Sequence, residues 1–434
     1  MIDLNRLLLY RNLAHEDILS DIIWVFNRIE DNMSTREDVI EILCRAISNL
    51  IELSASHGYE GNLWHTYIAY LLAGNENAYS LACEMTGDIE GSINDVALND
   101  LKIFKRLYGL DLRKLDNALE ITCAGMLYDY KTGEARTRVI NKRISEGICK
   151  LARKLGEAES AESFKECVTL FYKEFGVGKF GLHKAFRVKQ GDMGPEIVPI
   201  NNTAVVGLDD LVGYDIQKQK LIENTESFVK GRHANNCLLF GEAGTGKSTS
   251  IKAVLNLYYP QGLRMIELYK HQFKDLASIL AQVKNRNYKF IIYMDDLSFE
   301  EFETEYKYLK AIIEGGLEVK PDNVLIYATS NRRHLIRERF SDKQEIDDDI
   351  HAKDTVSEKL SLAARFGVTI YFGSPDKKEY DSIIKALAQK NNVIMPEDEL
   401  LAEAGKWELS HGGLSGRTAQ QFIDYILGKA KEGI

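Results

Sequence analysis

Cys237-Leu-Leu-Phe240 runs directly into Gly241-Glu242-Ala243-Gly244-Thr245-Gly246-Lys247-Ser248, and that loop runs into Thr249-Ser-Ile-Lys-Ala-Val-Leu-Asn256. An apolar strand, a glycine-rich loop and a segment of helical character follow one another. This is the context in which G-x-x-x-x-G-K-[ST] is a phosphate-cradling P-loop rather than a chance run of glycines. Glycines let backbone N–H groups curl around a phosphate, and the new helix adds the positive end of its dipole. Lys247 has the reach for the β- and γ-phosphates, and Ser248 can give its hydroxyl to Mg²⁺.

Working outward, strands and helices alternate. Leu208-Asp-Asp-Leu-Val-Gly-Tyr214 leads into a helical run, Asp215 to Val229, before the P-loop strand. After the P-loop helix come a strand at Leu263–Tyr269, a helix at Lys274–Lys284 and an apolar strand at Lys289–Met294. A helix at Tyr306–Gly315, a strand at Asn323–Ala328, a helix at Val356–Arg365 and a last strand at Val368–Phe372 complete the series. Continuous apolar strands between helices predict a parallel three-layer α/β sheet. Beyond Ser374-Pro375 only helices are expected, at Lys377–Lys390, Pro396–Leu409 and Ser415–Lys431. The expected division is a helical domain over 1–190, a linker over 191–203, an α/β core over 204–375 and a helical lid over 376–434. The linker rests on the breakers Gly191, Gly194, Pro195, Pro199, Asn201 and Asn202.

The first 190 residues repeat the 3.6-residue apolar period: Ile18, Ile22, Ile23, Phe26 and Ile29, then Leu43, Ile47, Leu50 and Ile51. Trp64–Met85 and Asn94–Tyr108 continue it. His15, His57 and His65 lack metal-ligand spacing. Arg136, Arg138, Lys142, Arg143, Lys150, Arg153 and Lys154 form a basic stretch. It reads first as a solvated helix face and second as a nucleic-acid contact. Gly176-Val-Gly178-Lys-Phe-Gly181 matches G-x-G-x-x-G, but it follows a helical segment, so it is read as a turn.

The composition fits a folded, helix-rich chain of two or three domains: 434 residues, 45% hydrophobic, only 6 prolines. A net charge of −10 argues against a whole-surface nucleic-acid binder. The 6 cysteines contain no C-x-x-C pair and imply neither a zinc site nor a disulfide framework. No apolar run reaches membrane-span length, so a soluble cytoplasmic protein is expected.

Asp295 and Asp296 end an apolar strand. Asp295 is where a carboxylate orients the water shell of Mg²⁺ beside Ser248. Asp296 can orient or deprotonate an attacking water. Asn331, at the tip of the next strand, either holds that water or the γ-phosphate, or simply caps the strand. Arg365, ending a helix before the last strand, is either a transition-state arginine reaching a neighbouring subunit or a surface residue at a helix end. Arg417 opens the final helix in Gly412-Gly-Leu-Ser-Gly-Arg417. It either touches the γ-phosphate from the lid or belongs to a turn whose purpose is capping by Ser415.

Residues from about 204 to 434 resemble an AAA+ ATPase module, an α/β core followed by a helical lid. The resemblance puts Gly241–Ser248 at Walker A, Asp295-Asp296 at Walker B, Asn331 at sensor 1, Arg365 at the arginine finger and Arg417 at sensor 2. It puts Val212, Gly213 and Tyr214 beside the adenine. Met294-Asp-Asp-Leu-Ser-Phe-Glu300, Glu314-Gly-Gly-Leu-Glu318, Tyr327-Ala-Thr-Ser-Asn-Arg-Arg-His334 and Ser415-Gly-Arg-Thr418 resemble, more narrowly, a bacterial family of AAA+ ATP-binding proteins of unassigned role. One departure matters. AAA+ enzymes mostly carry Asp-Glu at Walker B, and this chain carries Asp-Asp, which implies slow hydrolysis or help from Glu300. The resemblance implies ATP and Mg²⁺ as ligands, a homo-oligomer with Arg365 acting in trans, and an unidentified protein partner. A motor or remodelling ATPase, a nucleotide-gated switch or scaffold, and a nucleic-acid-associated ATPase similar to helicase loaders all stand at this point, the last disfavoured by the acidic charge. A small-molecule kinase is a weaker rival, since it needs neither Arg365 nor a lid bearing Arg417. Tyr269-Lys-His-Gln-Phe273 lies about where an unfoldase has its aromatic pore loop, but without the following glycine it reads first as a plain loop.

Overall fold

The computed structural model describes residues 3–31, 36–87, 89–131, 142–192, 194–201, 203–299, 305–314, 320–331, 335 and 362–431. The chain divides into two compact units: Met1–His183 with Pro199–Asn202, and Lys184–Val198 with Thr203–Ile434.

The first unit is helical. Trp64, Tyr67, Leu101, Phe104 and Phe164 are buried in one core shared by its helices. The segment expected as one helix over Trp64–Met85 is two, Leu63–Gly74 and Ala78–Thr86. Asn77 makes the break: its side chain accepts from Tyr79 N and Ser80 N, while Ser80 Oγ accepts from Asn77 N. Such a reciprocal cap starts a new helix more favourably than it continues an old one. The Gly176–Gly181 stretch holds a short helix, Gly178–Leu182, whose start is already occupied by carboxylates of its own chain. Val177 N–H donates to Glu84 Oε2 at 2.9 Å, and a Cβ on Gly178 would lie 2.0 Å from Glu76 Oε1. On the helix Lys142–Glu157, Ile148, Leu151 and Leu155 are buried while Lys150, Arg153 and Lys154 are exposed, which is the pattern of a solvated face. Arg136 and Arg138 lie outside the described residues.

The second unit is built on a seven-stranded sheet. Its strands are β1 (Ala185–Gly191), β2 (Gly194–Pro199), β3 (Cys237–Gly241), β4 (Leu263–Glu267), β5 (Lys289–Met294), β6 (Val324–Ser330) and β7 (Val368–Phe372). They lie in the order β2-β1-β4-β5-β6-β3-β7. From β1 to β7 every adjacent pair runs parallel. All seven residues of β6 are buried, as a strand covered on both faces requires. The stretch expected as a linker therefore contains a strand, and β1 falls within the stretch expected to be helical. Pro195 and Pro199 are accommodated because β2 is an edge strand, where a missing N–H breaks no ladder. Three helices, Lys377–Lys390, Glu397–Ser410 and Gly416–Lys431, follow the sheet and share their own core of Tyr380, Ile384, Leu400, Phe422 and Ile423. No described helix is long and apolar enough to cross a membrane.

Candidate nucleotide site

In a parallel sheet the crevice at the carboxyl ends of the strands is where ligands bind. There β3 passes into the P-loop, and the P-loop into the helix Lys247–Tyr258. The first N–H groups of that helix have no intrahelical acceptor and face the loop. A cleft of about 610 Å³ opens here, within the range of small-molecule sites. Ala243 through Thr249 line its floor. Asp295, Asp296, Thr329 and Asn331 line one wall, and Leu211, Val212 and Tyr214 another. Ile383 and Leu387 from the helix Lys377–Lys390, and Gly416, Arg417, Gln420 and Gln421 from the helix Gly416–Lys431, also line the cleft.

Lys247 is 6% exposed, and its ammonium donates to Gly241 O at 2.9 Å, Glu242 O at 2.6 Å and Asn331 Oδ1 at 3.0 Å. Burial pulls its pKa below the usual lysine value, opposed by the facing carboxylates of Asp296, Glu242 and Asp295. Ser248 Oγ donates to Asp295 Oδ1 at 2.7 Å, and Thr329 Oγ1 donates to the same oxygen at 2.6 Å. Burial pushes the Asp295 carboxyl up, but the hydrogen bonds from Ser248 and Thr329 outweigh it and hold the group below its ordinary value. Asn331 Nδ2 donates to Asp296 Oδ1 at 2.9 Å, so Lys247, Asn331 and Asp296 form one chain of contacts.

The donor set fits Mg²⁺ with a polyphosphate. Ser248 and Asp295 offer two hard oxygen ligands at the cleft, and Mg²⁺ usually combines one or two such ligands with waters and substrate phosphates. Among the described residues no group of three or more His, Cys, Asp or Glu forms a protein-only metal cage. The loop fits as well. A Cβ on Gly246 would sit 2.3 Å from Leu211 Cδ1, and one on Gly244 would sit 3.0 Å from Arg417 Cβ.

Arg417 lines the cleft, and its N–H donates to Gly244 O at 3.2 Å. Ser415 meanwhile caps the final helix, accepting from Thr418 N at 3.1 Å. The capping by Ser415 is thus present in the turn, which also places Arg417 at the cleft. Gly213, Gly241, Glu242 and Arg365 do not line the cleft. Gly213 shapes the turn before Tyr214, whose hydroxyl donates to Gly373 O at 2.8 Å and whose ring lies 5.2 Å from that of Phe372. Gly241 and Glu242 serve through their carbonyls on Lys247. Arg365 donates its N–H to Leu362 O at 3.3 Å, beside the last strand. Glu300, the residues Arg332 to His334 and 315–318 lie outside the described residues. Tyr269–Phe273 enters a 3₁₀ turn, Lys270–Asp275, with Phe273 buried and Tyr269 donating to Glu267 Oε2 at 3.1 Å. Sequence reasoning missed Thr329, the apolar lid residues Ile383 and Leu387, and Gln420 and Gln421. Nothing local marks them, since each reaches the cleft only through the packing of distant segments.

A P-loop at the carboxyl end of a parallel sheet, an acid-tipped strand β5 separated from the P-loop strand by β6, and a helical unit touching the loop define an AAA+ P-loop NTPase. The chain belongs to the family described as "Protein of unknown function (DUF815)", whose sequence profile matches residues 181–430. No curated protein matches the sequence. Among solved structures, the Thermotoga maritima RuvB Holliday junction branch migration motor is similar at 17% identity and TM-score 0.36, over 50% of this chain and 63% of that one. A single-substitution variant of the same motor is similar at 18% identity and TM-score 0.36, over 50% and 64%. The chain thus spans less than two thirds of these structures.

Proposed function

We propose that the protein is a Mg²⁺-dependent ATPase that couples nucleotide binding and slow hydrolysis to movement of its lid against its core, within an assembly that acts on a macromolecular partner. The observation that carries this is the convergence of Lys247, Ser248, Asp295, Asp296, Asn331 and Arg417 on one cleft. Ser248 and Asp295 would hold Mg²⁺, which would supply neutralisation of the charge developing on the phosphates. The residues do the rest. Lys247 exchanges its carbonyl contacts for phosphate oxygens. Asp296 accepts the proton of the attacking water, and Asn331 orients the two. Arg417, tied through its backbone to Gly244, links phosphate occupancy to the lid. Val212, Ile383 and Leu387 supply apolar surface for a base. Arg365, away from its own cleft, completes a neighbour's.

A switch with little turnover is the second reading, favoured by the short carboxylate of Asp296 and its engagement by Asn331. The deciding measurement is steady-state ATP hydrolysis against protein concentration, with Lys247→Ala as the blank. Turnover below about 10 s⁻¹, the enzyme median, and specific activity rising with concentration are expected. Tight ATP binding with flat, blank-level activity would select the switch. Nucleotide binding no better than the blank would overturn both.

A further inference from the structure

The second acidic residue after β5 stands in an unusual backbone conformation. Asp296 has φ 51°, in the left-handed region. L-residues avoid that region, and Asp and Asn tolerate it best because their short polar side chains bond locally. Thr329, on the neighbouring strand β6 and 2% exposed, holds it there. Its hydroxyl accepts from Asp296 N–H at 2.9 Å and donates its one proton to Asp295 Oδ1 at 2.6 Å. Its carbonyl accepts from Leu297 N–H at 2.7 Å. One residue therefore binds three consecutive residues of the acidic loop. The hydroxyl has a single proton, so its direction is fixed: donor to the carboxylate, acceptor from the amide.

Resting on the ATPase reading above, we infer that Thr329 is the positioning residue for both carboxylates, and that the left-handed turn it pins is the reason the second acid is Asp. From this backbone the Asp296 carboxylate meets the Asn331 amide, which in turn meets Lys247. A glutamate built on the same φ would push its carboxylate about one C–C bond, roughly 1.5 Å, past that amide. The Asp-Asp pair is then a matched arrangement with Thr329 rather than a weakened Asp-Glu. Because Thr329 also orients the oxygen that Ser248 shares, the same hydroxyl governs Mg²⁺ coordination and water activation together.

The test uses the full chain and four proteins: wild type, Thr329→Val, Thr329→Ser and Asp296→Glu. Each is measured for kcat and KM with Mg²⁺-ATP. Each is also titrated with a fluorescent ATP analogue, once with Mg²⁺ and once with EDTA. Thr329→Val keeps the shape and loses the hydroxyl. It is expected to lower kcat by about 10²-fold, the scale of a misplaced catalytic group, and to raise KM for Mg²⁺-ATP as Mg²⁺-dependent affinity falls. It should also shrink the gain in analogue affinity that Mg²⁺ provides while leaving the EDTA affinity intact. Thr329→Ser should recover most of both losses. Asp296→Glu should not raise kcat above wild type. A merely structural role would lower stability without changing the Mg²⁺ response selectively. Wild-type kcat and Mg²⁺ response in Thr329→Val, or a faster Asp296→Glu, would overturn the inference alone. Should Thr329→Val fail to fold, Asp296→Glu still decides, since it leaves Thr329 in place. Wild-type protein that binds the analogue no better than Lys247→Ala would overturn the ATPase reading and this inference with it.

Discussion

Asp295 is held by two hydroxyls on one oxygen, Ser248 from the P-loop helix and Thr329 from β6. Hydrogen bonds to the charged form favour it, and here they prevail over burial, which alone would raise the pKa. The folded value is depressed, so the contribution to stability is complete above the unfolded aspartate value of about 3.9 and is lost as pH falls through the lower folded value. The difference in unfolding free energy between wild type and Asp295→Asn, measured without nucleotide, should therefore stay flat from about pH 8 down to about pH 5, well above the ordinary aspartate value. A midpoint near pH 6 in that difference would show that the Asp295 carboxyl is raised rather than depressed in the folded protein. Asp295→Asn, which keeps the shape and removes the charge, should abolish the Mg²⁺ dependence while leaving EDTA-measured affinity in place.

The P-loop depends on how β3 meets β7. Gly241 ends β3 at φ 136°, and a Cβ there would lie 2.0 Å from the backbone oxygen of Phe372. Gly241→Ala must push two hydrogen-bonded strands apart. Gly213→Ala meets nothing within 4 Å and only adopts φ 77°, a cost of about 1–2 kcal/mol. Thermal unfolding should separate the two, with Gly241→Ala clearly the less stable; equal losses would mean that the β3–β7 junction yields easily. The same junction shows what a sequence reveals and what it hides. Strands β3, β5 and β6 are buried on both faces, so Leu238-Leu239, Phe290-Ile-Ile292 and Val324-Leu-Ile326 announce themselves as apolar runs. Strand β1 alternates buried Phe186 and Val188 with exposed Arg187 and Lys189, and β2 is bracketed by glycine and proline, so neither does. In the site, Lys247, Ser248 and Asp295 are legible because their spacing along the chain fixes their chemistry. Thr329 is not, because its role depends on a left-handed turn at Asp296 and on strand register, which pairs Leu239 with Thr329 and Met294 with Ala328.

For the whole molecule the open matter is how many chains make one working site. Arg365 ends a short helical stretch just before β7 and is absent from the cleft formed by its own chain. If it acts, it acts on a neighbour, and its removal should spare ATP binding while abolishing most hydrolysis. Lys247→Ala does the reverse, disabling a cleft while leaving Arg365 available to the next chain. Two inactive proteins then become informative together. In a mixture, a subunit carrying Arg365→Ala keeps an intact cleft, and an adjoining Lys247→Ala subunit can present the missing arginine. Mixing the variants after dissociation and reassembly should restore a fraction of wild-type hydrolysis that peaks near equal proportions. Arginine removal alone can cost 10³–10⁵ in rate where it stabilises a phosphoryl-transfer transition state, so partial complementation would stand far above either variant. No recovery at any ratio, with both variants assembling normally, would place Arg365 outside the reaction. Full activity in Arg365→Ala alone would do the same and leave a site complete within one chain.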